Sequence, residues 1–258
     1  MAAPINHFKM ALKTKCRQLG LWMALASPNS AELLASAGFD WLVIDLEHAP
    51  NDLRSSVTQL QAIAASGVAG VVRPPVGETW IIKQLLDAGC QTLLIPMIES
   101  AEQAREMVRA VRYPPFGVRG VGAGLARASR YGGVPDYLRS ADEQICLLLQ
   151  VETENGLQAL DEILDVQGVD GVFIGPADLA ADMGYLGEPS APPVLEAIDN
   201  ALRRITAAGK SAGILTSDPT LMRRSCEIGA NFIAIGSDVS LLRLAANAAL
   251  NRFPDAWP

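Results

Sequence analysis

The polar residues of this chain that could do chemistry fall in four short clusters: Asp45, Glu47 and His48 in IDLEH, Arg73 in VVRPP, Gln150 and Glu152 in LLQVET, and Asp178 in GPADL. Glu152 and Asp178 each follow a short apolar run, Cys146 to Val151 and Gly171 to Ile174. Two carboxylates side by side suit a hard divalent cation such as Mg, Mn or Co, which takes oxygen ligands and keeps waters that a substrate can displace. His48 is one of only two histidines and follows two carboxylates, which suits a general acid or base or a metal ligand; His7 has no such neighbours. The lysines stand at 9, 13, 15, 83 and 210, none at the end of an apolar run. Carbonyl activation through a Schiff base is therefore not expected, and a cation is the expected means. Taken singly, each polar group could be a helix cap or an ion-pair partner, and Asp178 could simply lie in a first helical turn. Their convergence is what argues for chemistry.

That convergence depends on the elements that carry them. Short apolar runs alternate with amphipathic stretches along the whole chain. The strands expected are 19–24, 41–45, 71–72, 92–96, 146–151, 171–174, 211–215 and 232–235, and most are followed by a helical pattern, as at 52–65, 101–111, 194–208 and 240–250. An N-terminal helix over 8–15 precedes them. Eight strand–helix units without a linker predict an α/β fold, a TIM (β/α)8 barrel forming a single domain over residues 1–258. In that fold functional groups gather past the carboxyl ends of the strands, which is where each cluster falls. A doubly wound sheet is the other candidate, but no GxGxxG follows the first strand. The rhythm breaks at 113–135, a Gly- and Pro-rich stretch holding Arg119, Arg127 and Arg130, which reads as a long functional loop or a solvated excursion.

Composition narrows the partners. The formal net charge is −7 and no basic run offsets it, so nucleic acid is not expected. No apolar run is long enough to span a membrane and the N-terminus has no apolar leader core, so a soluble, cytoplasmic protein is expected. The four cysteines form no CxxC pair and read as reduced, mostly buried thiols.

The motifs IDLEHAPND (44–52), VVRPP (71–75), IKQLLDAGCQTLLIPMIESAEQA (82–104), RYPPFGVRGVG (112–122), LARASR (125–130), QVET (150–153) and GVDGVFIGPADLAADMGY (168–185) resemble the HpcH/HpaI family of class II pyruvate aldolases. The resemblance covers nearly the whole chain in order. It implies a divalent metal held by Glu152 and Asp178, and Arg73 on the keto oxygen of pyruvate. It further implies His48 as acid or base, partnered by Asp87 across a subunit contact. Gln150 and the backbone of Gly175, Pro176 and Ala177 are then expected to hold the pyruvate carboxylate, with Asp45 and Leu215 completing the substrate contacts. The implied reaction is reversible cleavage of a 4-hydroxy-2-oxo acid to pyruvate and an aldehyde. The implied assembly is a homo-oligomer, a hexamer, whose last helix is swapped onto a neighbouring subunit. Leu46 stands where several relatives have Gly, and Pro75 to Glu78 vary, which leaves the aldehyde open. The other readings are a metal-dependent decarboxylase or lyase of a related 2-oxo acid such as oxaloacetate, and a non-catalytic barrel scaffold.

Overall fold

The structure is a computed structural model and describes residues 1–252. In chain order its first half contains α1 (His7–Lys13), β1 (Gln18–Met23), α2 (Pro28–Ala35), β2 (Trp41–Asp45), α3 (Leu53–Ile63), β3 (Ala69–Arg73), α4 (Thr79–Asp87), β4 (Thr92–Ile95) and α5 (Ala101–Ala110). The second half contains α6 (Tyr137–Gln144), β5 (Cys146–Val151), α7 (Glu154–Gln158), α8 (Leu160–Leu164), β6 (Gly171–Ile174), α9 (Pro176–Asp182), α10 (Pro192–Ala207), β7 (Ser211–Leu215), α11 (Pro219–Ile228), β8 (Phe232–Ser237) and α12 (Asp238–Leu250). The eight strands pair in parallel, in sequence order, and β8 closes on β1. The expected barrel is the one observed.

Strand alternation builds two separate cores. Leu42 and Ile44 of β2, Leu147 and Leu149 of β5, and Val172 and Ile174 of β6 face outward and pack under the helices. The residues between them, Trp41, Val43, Cys146, Leu148 and Phe173, face inward and fill the lumen with Trp22, Val71, Leu94 and Phe232. The ring centroids of Trp22 and Phe173 stand 5.4 Å apart and those of Trp41 and Phe232 6.0 Å apart. Such large rings need small neighbours: a Cβ on Gly20 would collide with the Trp41 indole, and one on Gly213 with Phe232. At the amino end of the barrel α1 is a plug. Phe8 and Leu12 enter the lumen cluster, while Asn6 caps the helix and donates to Gln91 O and Thr92 Oγ1 at 3.1 and 3.0 Å. Continued one or two steps further, the same period of two turns Asp45, Arg73, Gln150 and Glu152 inward at the carboxyl end.

Three details depart from the expected pattern. The stretch after Pro135 forms a helix, α6, that the sequence reading left without an element, and a short 3-10 turn at Arg127–Ser129 lies inside the long loop. Two short helices, α7 and α8, follow β5 and meet at Ala159. With α1, and with both α9 and α10 following β6, these bring the described residues to twelve α-helices, where the sequence suggests eight after the strands. Finally, α12 stands away from the barrel: only Asp238 is buried, accepting from the Ala24 and Leu25 N–H groups, whereas Leu241, Leu242, Leu244 and Leu250 are all exposed. The four cysteines are free. No helix among the described residues is long and apolar enough to cross a membrane.

Candidate active site

Asp45 and Arg73 end neighbouring strands in direct register, so their side chains meet. Arg73 Nε donates to Asp45 Oδ1 at 2.8 Å and Nη2 donates to Oδ2 at 2.7 Å, a two-pronged pair that is 2% and 6% exposed at its two residues. Nη1 lies 2.9 Å from Glu47 Oε2, and the guanidinium carbon stands 5.3 Å from the centroid of the Trp22 ring. Burial works against the Arg73 charge, but the hydrogen bonds and charge of Asp45, with the charges of Glu47 and Glu152, outweigh it and hold its pKa above the usual value. A guanidinium has five N–H donors, so Nη1 and Nη2 keep donors free for an oxygen of a ligand.

Glu152, on the same inward row as Gln150, is 1% exposed. Its Oε1 accepts from the Met97 N–H at 3.0 Å and its Oε2 from Gln150 Nε2. Both donors are neutral, and among the described residues no Lys or Arg forms an ion pair with it. Burial pushes its pKa up to about 7, the two hydrogen bonds pull the other way, and the charges of Asp178 and Glu47 push up again. Asp178 is exposed in the first turn of α9, just past β6. Glu47 is likewise raised, chiefly by burial, against the pull of Arg73 and His48. The carboxylates of Glu47, Glu152 and Asp178 therefore share one electrostatic environment at the carboxyl rim. Among the described residues no group of three or more His, Cys, Asp or Glu side chains forms a metal cage. The fit to a cation is of another kind: a buried carboxylate lacking a positive partner, a second carboxylate past the neighbouring strand, and the Gln150 Oε1 acceptor left unbonded. Gly175 belongs to this cradle, since a Cβ there would run into Glu152 Oε2.

The other expected residues divide. Leu215 closes β7 and packs against the lumen cluster on the same rim. His48 is on the rim, its side chain 63% exposed, with Nε2 3.9 Å from Glu47 Oε2. Gln150 spends one of its two amide N–H donors on Glu152 and keeps the second for a ligand carboxylate. Of the 175–177 backbone, Gly175 N–H already donates to Val151 O at 3.2 Å and Pro176 has none; the unspent N–H in this stretch is that of Ala177. Asp87 does not join the cluster. It is the last residue of α4, which runs from the carboxyl rim back to the amino end of the barrel.

Two site-building residues escaped the sequence reading. Trp22 walls Arg73, and the signal available was its inward parity on β1. Met97, whose N–H holds Glu152, adopts a φ of 55°, which its residue type does not announce. A cavity of about 650 Å³ opens at the opposite, amino end of the barrel, lined by His7, Gln91, Arg127 and Tyr131 and by no carboxylate, so it is not where this chemistry sits.

A closed parallel barrel with a buried arginine and clustered carboxylates at its carboxyl rim defines a barrel enzyme acting on a small polar molecule. The profile of the HpcH/HpaI aldolase/citrate lyase family matches residues 18–245. The chain is 59% identical over 250 residues to the hydroxypyruvate/pyruvate aldolase of Deinococcus radiodurans, covering 97% of this chain and 90% of that one. It is 56% identical over 248 residues to a 4-hydroxy-2-oxo-heptane-1,7-dioate aldolase of Escherichia coli, covering 96% and 95%. The crystal structure of an HpcH/HpaI aldolase/citrate lyase family protein from Burkholderia cenocepacia superposes with a TM-score of 0.93 at 41% identity, over 97% of this chain and 100% of that one. The chain belongs to the HpcH/HpaI aldolase/citrate lyase family, and it is an aldolase, a carbon–carbon lyase.

Proposed function

We propose that this aldolase reversibly cleaves a 4-hydroxy-2-oxo acid to pyruvate and an aldehyde at the carboxyl rim of the barrel, with a divalent cation held by Glu152 and Asp178. The observation that carries the cation is Glu152, a buried carboxylate with neutral donors alone for partners. A bound divalent cation supplies Lewis-acid polarisation of the 2-oxo group.

The residues of the chain do the rest. In cleavage the C4 hydroxyl loses its proton, the C3–C4 bond breaks, the aldehyde departs, and its bonding pair leaves negative charge on the C2 oxygen of the pyruvate enolate. Arg73, fixed by Asp45 and already in place, stabilises that charge through its unspent N–H donors without reorganising. Ala177 N–H faces the substrate carboxylate, and Leu215 and Trp22 line the apolar side. His48, exposed at the rim, exchanges protons with the substrate hydroxyl.

Because α4 carries Asp87 away from its own rim, the partner role for Asp87 belongs to a second copy of the chain, set against the first copy's His48. The uncovered leucines of α12 suit a helix that packs on a neighbouring subunit. The family resemblance extends this proposal to a cytoplasmic homo-oligomer, a hexamer. The test is pyruvate release from 4-hydroxy-2-oxoheptanedioate before and after chelation, with Mg, Mn or Co added back. Activity that survives thorough chelation removes the cation; metal-dependent release from oxaloacetate alone replaces the aldol reading with a decarboxylase.

A further inference from the structure

We propose that Arg119 is a positioning residue that aims the Asp87 carboxylate outward, toward another copy of the chain. The inference rests on the reading that Asp87 serves a neighbouring His48, and it adds the group that makes Asp87 fit for that task.

Arg119 is unusual for a loop residue in having a side chain that is 0% exposed. Its guanidinium carbon stands 4.4 Å from the centroid of the Tyr113 ring and 5.9 Å from that of Tyr137, within the range of cation–π contact. Nη2 donates to Asp87 Oδ1 at 3.1 Å and is 3.3 Å from the Tyr137 hydroxyl, whereas Nε and Nη1 have no partner. A charge buried at such a loss of hydration, with a single carboxylate against it, is a weak way to stabilise a fold. Nor does the barrel need it: Tyr113 and Tyr137 belong to a small cluster with Ala3, Ala123, Val134 and Ala141, separate from the lumen and from the layer under the helices.

What the arrangement does accomplish is to orient Asp87. One oxygen is pinned from inside the protein. The other, Oδ2, has no hydrogen-bond partner among the described residues and sits beside Gly122, where an added Cβ would come within 3.3 Å of it. Asp87 itself is 27% exposed. The loop that supplies Arg119 is therefore glycine-lined where it passes the free oxygen, and the carboxylate is held by its inner edge and bare on its outer edge. Two other charged groups lie at this junction. Lys83, one turn earlier on α4, packs its stem against Gly120, and Asp142 of α6 accepts the Tyr113 N–H at 3.1 Å. Neither bonds Asp87. An aspartate that must meet an imidazole across a subunit contact needs this kind of fixing, because an error of about 1 Å in such a pair costs on the order of 100-fold in rate.

The experiment is a double-mutant cycle in the full-length, assembled, metal-loaded enzyme, using R119M, R119K, D87N and R119M/D87N, with kcat and KM for 4-hydroxy-2-oxoheptanedioate and the mass in solution measured for each. The expected result is a kcat about 10- to 100-fold lower in R119M with KM little changed, partial recovery in R119K, and no further loss when R119M is added to D87N. A merely structural Arg119 gives a loss that tracks disassembly and adds to that of D87N, and either pattern overturns the proposal. So does wild-type kcat in assembled R119M. Should R119M not assemble, R119K and Y137F decide, the second removing only the hydroxyl that shares Nη2: lowered kcat in R119K beside near-wild-type kcat in Y137F is expected, and the reverse overturns it. Unchanged kcat in D87N overturns the reading of Asp87 and the proposal with it, whereas impaired D87N beside normal R119M overturns the proposal alone.

Discussion

Replacing Asp45 by Asn tests whether the Asp45–Arg73 pair is what prepares the site. Asn has nearly the same shape, but it can accept only through one oxygen and turns an N–H group toward a guanidinium nitrogen. One of the two bonds, at 2.8 and 2.7 Å, is lost together with the countercharge. Because both residues are almost wholly buried, the discount that solvent applies to surface ion pairs does not hold here. Breaking a buried pair from one side costs about 3–5 kcal/mol. Arg73 keeps Glu47 Oε2 at 2.9 Å, which sets the expectation at the lower end, about 3 kcal/mol. For a chain of this size that lowers Tm by about 6–12 °C. The catalytic consequence is separate. A guanidinium released from its fork turns toward Glu47 and away from the developing charge, so kcat should fall at least about tenfold, the loss of one preorganised donor being larger still. Thermal unfolding by circular dichroism, at one protein and one metal concentration, and steady-state pyruvate release provide the two readings. A D45N enzyme with Tm within about 1 °C of wild type and unchanged kcat would refute the reasoning at both levels.

Gly175→Ala should weaken cation binding at least about tenfold, the equivalent of 1.4 kcal/mol; the Gly175 φ is −93°, so the cause is the collision with Glu152 rather than backbone strain, and wild-type metal affinity by calorimetry would count against the cradle. Glu152 is a carboxylate whose folded pKa is raised to about 7, so in the cation-free protein its contribution to stability is full below its unfolded value and is lost as pH rises through 7. Cation binding at pH 6 should then release a proton and tighten toward pH 8, as buffers of different ionisation enthalpy will read out; pH-independent binding with no proton released sinks this assignment. In α12, replacing both Leu242 and Leu244 by Asp should lower the mass in solution while leaving the barrel folded, and an unchanged mass would show that these exposed leucines are not what holds copies together.

The difference between what the sequence discloses and what it hides follows from how far apart the cooperating residues lie. Asp45, Arg73, Gln150 and Glu152 are legible because a strand repeats every two residues: once Trp41, Val43, Cys146 and Leu148 are seen as inward, the polar residues of the same parity must end in the same lumen. Asp178 follows from the rule that barrel loops gather at the carboxyl end. Helix α6 is not legible in this way, since YLRSADEQ buries only Tyr137 and Ala141 and carries no broad apolar stripe. Its place is set by what Tyr137 packs on, the guanidinium of Arg119, eighteen residues earlier in the chain. Met97 is hidden for a related reason: nothing in its side chain calls for a φ of 55°, and only the need to turn an N–H onto Glu152 gives that conformation a use. Asp87 is the extreme case. Its spacing on α4 gives it no contact with the rim cluster of its own chain, because the helix carries it to the opposite end from Arg73, and the partner role proposed above for it and for the buried clamp behind it needs a second copy that no single sequence displays.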